Sequence, residues 1–206
     1  MFKDRFEAGK LLAGKLKEYA GKKNVLVLAI PRGGLQIGYE VAKRLHVPLD
    51  VVITKKIGYP GNEEYAIGAV GPDGEAYLTE EVVSHEYIEE QKKELLKKIR
   101  ERYRKYRGTE KLPDLKNKIL ILVDDGLATG STMMAAVQYA LRQKPAFIVL
   151  AVPVTPPAAV EKFRNKVDKI ICLETPEIFF AVGEFYENFP QVEDEEAIRL
   201  LKEANA

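Results

Sequence analysis

The stretch whose reading decides the fold is residues 120–132, LILVDDGLATGST. Four apolar residues lead into two adjacent aspartates, and small and hydroxyl-bearing residues follow. A short continuous apolar run bounded by turn signals reads as a buried strand of a parallel sheet. The loop 126–132 can offer its backbone N–H groups, because Gly126, Ala128 and Gly130 do not obstruct them. Thr129, Ser131 and Thr132 add hydroxyl donors, and a helix starting near Ser131 brings orphan N–H groups and a positive dipole end. Together these form a phosphate cradle.

The aspartates cannot serve a phosphate. Side by side at the carboxyl end of a strand, they suit sugar hydroxyls, with a cation nearby. The stretch asks for a ligand with a phosphate at one end and a diol close by, and a ribose 5-phosphate fits. Two other phosphate devices fail. The ATP-binding loop needs a lysine before its hydroxyl residue, and the dinucleotide fingerprint needs G-x-G-x-x-G; the stretch has neither.

Working outward, NVLVLAI (24–30) is a second apolar run of strand length, followed by PRGG and a helical pattern over 35–45. PLDVVI (48–53) reads as the next strand, so strand, glycine loop, helix, strand spells a βαβ unit. Residues 118–123, 147–152 and 169–174 supply further strands, with helices from Ser131 to about Arg142 and after the prolines at 156–157. Residues 4–20 place Phe6, Leu11, Leu12, Leu16 and Tyr19 on one helical stripe. The fold class expected is α/β, a mainly parallel central sheet flanked by helices. Segment 55–115 interrupts it: YPGNEEY is rich in turn formers, AIGAV-GPDG-EAYLT reads as a hairpin, and 80–106 as a long helix with Ile88, Leu95, Ile99, Tyr103 and Tyr106 on one face. The tail, 176–206, combines aromatics with a final amphipathic helix.

The bulk numbers are compatible. The 206 residues suit one domain, 1–206, and 46% hydrophobic content supports a sizeable core. Net charge is +1, which does not predict a nucleic-acid binder. Cys172, the single cysteine, excludes an intrachain disulfide and reads as a buried structural thiol. The first ten residues lack an apolar signal core, and no apolar run approaches the roughly 20 residues of a membrane span. A cytoplasmic protein without membrane partners is expected. His46 and His85 lie far apart in the chain and indicate no zinc site.

VDDGLATGST resembles the signature of the type I phosphoribosyltransferases, which bind 5-phosphoribosyl 1-pyrophosphate (PRPP). The resemblance extends over nearly the whole chain, to a group of phosphoribosyltransferases with no settled substrate. It implies that Asp124 and Asp125 hold the ribose hydroxyls and that Ala128, Thr129, Gly130, Ser131 and Thr132 wrap the 5-phosphate. IPRGG (30–34) resembles the family's pyrophosphate loop. Arg32 there offers a bidentate fork for phosphate oxygens, while Gly33 and Gly34 allow close backbone approach. Lys55 and Lys56, after the second strand, are expected to face the pyrophosphate. Segment 57–79 matches the family's mobile flap, and the first helix (1–20) with the tail (176–206) would form its hood.

By the same resemblance a nucleophile displaces pyrophosphate from ribose C1, with Mg2+ held through PRPP and by Asp124 and Asp125, and a homodimer is a common assembly. One position departs. Relatives acting on 6-oxopurines carry an acid just before the Thr-Gly of the loop, and here that residue is Ala128, which disfavours those bases. Phe179, Phe180, Phe185, Tyr186 and Phe189 offer either a stacking platform or plain tail packing. Glu193 to Glu196 read as a solvated helix start. A competing reading starts from KKELLKKIRERYRKYR (92–107), whose nine cations and two acids would suit a nucleic-acid-binding regulator that senses PRPP. A solvated amphipathic helix explains it too, and the net charge favours that. A relative that has lost the chemistry and only binds nucleotides is the third reading.

Overall fold

The computed structural model describes residues 1–79 and 83–206. Among the described residues eight strands occur in chain order: β1 (Val25–Ala29), β2 (Leu49–Val51), β3 (Lys55–Tyr59), β4 (Asn62–Val70), β5 (Ala76–Leu78), β6 (Ile119–Val123), β7 (Phe147–Val154) and β8 (Lys169–Glu174). The α-helices among the same residues are α1 (Arg5–Lys15), α2 (Gly34–Leu45), α3 (His85–Arg107), α4 (Ser131–Arg142), α5 (Pro157–Phe163) and α6 (Asp194–Glu203).

Five strands form the central sheet in the order β2-β1-β6-β7-β8, and every pair in it is parallel. Successive strand residues point to opposite faces, so a sheet covered on both sides needs apolar residues without alternation. Strand β1 shows this: Val25, Val27 and Ala29 pack with α1, α2 and α6, while Leu26 and Leu28 join Met133, Val137 and Phe163 of α4 and α5. The order also fixes where a ligand can enter. From β1 the chain crosses to β2 on one side, and β6 lies on the other. The loops leaving β1 and β6 therefore diverge from adjacent carboxyl ends, which opens a crevice at a topological switch point.

The excursion differs in part from expectation. Its hairpin is present as β4 and β5, paired antiparallel with Gly68 opposite Leu78. Lys55–Tyr59, to which the sequence reading assigned no element, forms a further strand, β3, paired antiparallel to β4 with register shifts around Gly58. The turn formers Pro60 and Gly61 only mark its reversal into β4. Ile57 and Ile67 bury from β3 and β4. Helix α3 follows, capped by Ser84, whose hydroxyl accepts from Tyr87 N at 3.2 Å. Its five expected apolar positions are all buried. The expected helical start at Glu80, Glu81 and Val82 lies outside the described residues.

Helix α1 corrects another expectation. It ends at Lys15, with a 3-10 turn at Lys17–Tyr19, and Leu11 is exposed. Small residues decide the buried face: Ala8, Gly9 and Ala13 let α1 approach α2 closely, and a Cβ on Gly9 would lie 2.9 Å from Glu40 Cβ. Cys172 is half-buried, its thiol pushed up to about 11 by burial. Among the described residues no helix is long and apolar enough to cross a membrane.

The start of α6 is not merely solvated. Asp194 accepts from Arg102 at 3.0 Å and from Lys105 at 2.6 Å, and Tyr106 also donates to it. These donors, Lys105 first and Tyr106 next, hold its carboxyl well below the usual carboxylate range. Asp194 thus fastens α6 to α3.

Gly9→Val should overpack the α1–α2 contact and lower stability by about 1–3 kcal/mol, read as a lower denaturant midpoint with unchanged slope. Asp194→Asn should lower the melting temperature at neutral pH. A depressed native pKa gives stability that is present above the unfolded value and lost as pH falls, so the gap to wild type should close progressively below about pH 4.

Candidate functional site

Both aspartates leave the end of β6 and sit half-buried in the crevice. Asp124 Oδ1 accepts from the Asp125 N–H at 2.9 Å. Asp125 Oδ2 accepts from Arg5 Nε at 2.7 Å, and the Asp125 carbonyl accepts from the Tyr186 hydroxyl at 2.6 Å. Burial, and then the charge of Asp125, push the Asp124 carboxyl well above the ordinary range. Burial also raises Asp125, against the pull of the Arg5 guanidinium. Two acids crowded together under partial cover attract hydrogen-bond donors and cations, which is what their adjacency provides.

The loop after β1 packs directly on this pair. A Cβ on Gly33 would lie 2.0 Å from Asp125 Oδ2, and one on Gly34 would lie 3.2 Å from Asp124 Cα. Glycine is required at 33 because the Asp125 carboxylate occupies that space. The Pro31–Arg32 peptide is cis. Arg32 keeps one loose ion pair, Nη1 to Glu193 Oε2 at 3.7 Å, and remains partly exposed.

On the other side of the crevice, Gly130 at φ 77° caps α4 in the left-handed region. Ala128 and Thr129 are exposed, Ser131 is buried, and the Thr129 and Ser131 hydroxyl oxygens lie 3.3 Å apart. Lys162 Nζ donates to the Thr129 carbonyl at 3.1 Å, and the Thr54 hydroxyl to that of Thr132 at 3.3 Å. Thr129, Gly130 and Ser131, with Tyr77, Thr79 and Lys162, line a cleft of about 340 Å³. Larger clefts of about 800 Å³ lie elsewhere, one beside β2 and the ends of α3 and α6, one between α1 and α2. Neither contains the two acids or the helix start, so chemistry rather than size locates the candidate site.

The two lysines separate. Strand β3 alternates, leaving Lys55 half-buried and Lys56 exposed. Burial, then the neighbouring charges of Arg102 and Lys98, and Arg32 more weakly, lower the Lys55 pKa. Lys55 thus shares a cationic neighbourhood with Arg32, and Lys56 stands on the opposite face of β3. The basic helix is largely satisfied within the chain: Lys92, Lys98, Arg102, Arg104, Lys105 and Arg107 form ion pairs, and among the described residues only Lys93, Lys97 and Arg100 of its nine cations form none.

The tail aromatics also divide. Phe179 stacks on Phe185 at 5.2 Å, and Tyr186 contacts Phe2 and Phe189. Phe180 alone stands open, 81% exposed, beside an exposed Ile178. The segment is tied to the start of the chain, where Phe2 N–H donates to the Phe185 carbonyl at 2.7 Å and Glu187 N–H to that of Phe2 at 2.8 Å. Arg5, Lys162, Tyr77 and Thr79 are contributors that sequence reasoning missed, and Tyr186, expected as a stacking or packing ring, also donates to the Asp125 carbonyl. For Arg5 one signal was available, a cation seven positions before Leu12 and so on the side of α1 that Leu12 buries.

Comparison with known proteins adds to this geometry. The family model described as the phosphoribosyl transferase domain matches residues 3–189. Two Mycobacterium tuberculosis proteins, MT0597 and Rv0571c, provisionally named phosphoribosyl transferases, are each 41% identical over 211 residues, covering 100% of this chain and 47% of theirs. The chain spans about half the length of these relatives. The crystal structure of TT1426 from Thermus thermophilus is 39% identical, covers 98% of each chain and superposes with a TM-score of 0.83. On the match over residues 3–189 and the two acids between their loops, the chain belongs to the phosphoribosyl transferase domain family.

Proposed function

We propose that the chain is a cytoplasmic phosphoribosyltransferase that moves ribose 5-phosphate from PRPP to a nitrogenous base or another nucleophile and releases pyrophosphate. The observation that carries this reading is the pair Asp124 and Asp125 at the switch point, flanked by a helix-capping small-residue loop and by a glycine loop bearing Arg32. In this reading residues 128–132 hold the 5-phosphate through backbone N–H groups and hydroxyls at the start of α4. Asp124 and Asp125 receive the ribose hydroxyls. Arg32, with Gly33 and Gly34 beside it and Lys55 nearby, receives the pyrophosphate.

The C1–oxygen bond breaks with its electron pair leaving on pyrophosphate, and the acceptor's lone pair forms the new bond to C1. Positive charge gathers on the sugar in between, and the two acids are suited to stabilise it. Arg32 and Lys55 offset the negative charge on the departing group, so positioning and fixed charges carry most of the rate. The donor set suits magnesium: two carboxylates supply hard oxygen ligands, and among the described residues no three His, Cys, Asp or Glu gather into a cage. Asp124 and Asp125 would hold the ion together with ligand oxygens, and it would supply charge neutralisation at the pyrophosphate. We place the acceptor beside Phe180, whose open face suits a planar ring. Ala128 offers no carboxylate to such a ring, which argues against 6-oxopurines.

Titration of PRPP by calorimetry, with and without magnesium, followed by pyrophosphate release across a panel of bases and amines, tests the reading. Asp125→Asn should weaken PRPP binding about tenfold or more, since hydrogen bonds to charged groups contribute roughly 1.5–3 kcal/mol. An unchanged dissociation constant would remove Asp125 from the ribose site. Gly33→Ala should weaken it too, by displacing that carboxylate; a variant that binds PRPP like wild type would show that Asp125 can occupy another seat.

A further inference from the structure

Arg5 is the charged residue that the proposed reaction leaves unused. It lies at the first position of α1 with only 6% of its side chain exposed. A buried guanidinium is costly unless its donors are met, and an apolar residue there would serve packing as well or better. Two of its nitrogens find acceptors at the site. Nε donates to Asp125 Oδ2 at 2.7 Å, one terminal nitrogen donates to the Pro190 carbonyl at 2.8 Å, and its central carbon lies 3.6 Å from the centre of the Phe189 ring.

We infer that Arg5 is a positioning residue for the reaction, orienting the Asp125 carboxylate so that its second oxygen meets a ribose hydroxyl. This rests on the phosphoribosyl reading of the site. Three observations support it. The bond to Nε engages Oδ2 alone. A rigid planar fork fixed by a carbonyl on one side and a ring beneath defines a direction, which a lysine on a flexible stem does not. The glycine loop closes on the same contact: the Cβ position of Gly33 lies 2.0 Å from Asp125 Oδ2 and 3.0 Å from Arg5 Nε. Arg5 thereby joins α1, the tail and both ligand loops at one point. Tyr186, donating to the Asp125 carbonyl, holds the backbone of the same residue.

The test is a double-mutant cycle read by calorimetry. PRPP with magnesium is titrated into wild type, Arg5→Met, Asp125→Asn and the double variant, and inorganic pyrophosphate without magnesium serves as a second probe. Arg5→Met should weaken PRPP binding about tenfold, with pyrophosphate affinity unchanged. On the Asp125→Asn background the same substitution should add little, because residues acting as one unit are non-additive. Full additivity, equal loss with both probes, or wild-type affinity in Arg5→Met would each overturn the inference. Should Arg5→Met fail to fold, Arg5→Lys, which keeps charge and stem, decides: weakened PRPP binding with unchanged pyrophosphate affinity supports positioning, and wild-type affinity overturns it. A wild-type protein that does not bind PRPP would overturn the phosphoribosyl reading and this inference with it, whereas wild-type binding with an indifferent Arg5 overturns the inference alone.

Discussion

Two carboxylates in contact at the end of a buried strand are the constraint around which the rest of the structure is arranged. In isolation the pair is unfavourable, since burial and mutual repulsion both oppose ionisation. The fold answers with short-range donors and with space. The Asp125 N–H turns back to Asp124, Arg5 reaches Asp125 from another element, and Gly33 gives up a side chain so that the carboxylate has room. Such compensation is partial, and partial compensation is what a binding site for hydroxyls and cations requires. A fully paired acid would have nothing left to offer a ligand.

The order of strands explains why this point, and not another, collects the chemistry. The chain leaves β1 and β6 on opposite sides of the sheet, through α2 and α4, and the loops part. Each loop then runs into the start of a helix, so two positive dipole ends flank the acids. Cations gather on one side as Arg32 and Lys55, backbone N–H groups and hydroxyls on the other at 128–132. A molecule with a diol between two anionic ends matches that arrangement.

How much of this was legible follows from range along the chain. The strands, α2, α4 and the buried face of α3 rest on local periodicity, and they stand where the pattern of VLVLA, ILILV and the Ile88-to-Tyr106 stripe puts them. The acids and the small-residue loop are contiguous, so their chemistry could be read together. Lys55 and Lys56 were grouped because they are neighbours in sequence, yet a strand sends neighbours apart. The charges at 193–196 read as solvated because the partners of Asp194, Arg102 and Lys105, lie about ninety positions away. Arg5 lies 120 positions from Asp125, and no local pattern connects them. Leu11 failed for a different reason: volume, not hydrophobicity, sets the face of α1, and Gly9 wins the contact with α2.

The same distinction separates the two halves of the site. The half that would take PRPP is built from loops anchored at both ends in strands and helices, with glycines whose replacement would strike the Asp125 carboxylate at 33, backbone at 34, and packed side chains at 126 and 130. Its geometry is over-determined, and its sequence is correspondingly specific. The half that in the proposed reading would take the acceptor hangs on the segment after β8, which holds its place through stacked rings and main-chain bonds to residues 2 and 3 rather than through the sheet. A surface built that way can exchange Ile178 or Phe180 without disturbing the sheet, so the donor chemistry would stay constant while the acceptor changes. Arg5 and Tyr186 are where that segment meets the two acids, because both reach Asp125 while packing with Phe189. Any substitution that shifts the segment enough to change the acceptor must also keep Phe189 and Pro190 in place, or the ribose acid loses its support.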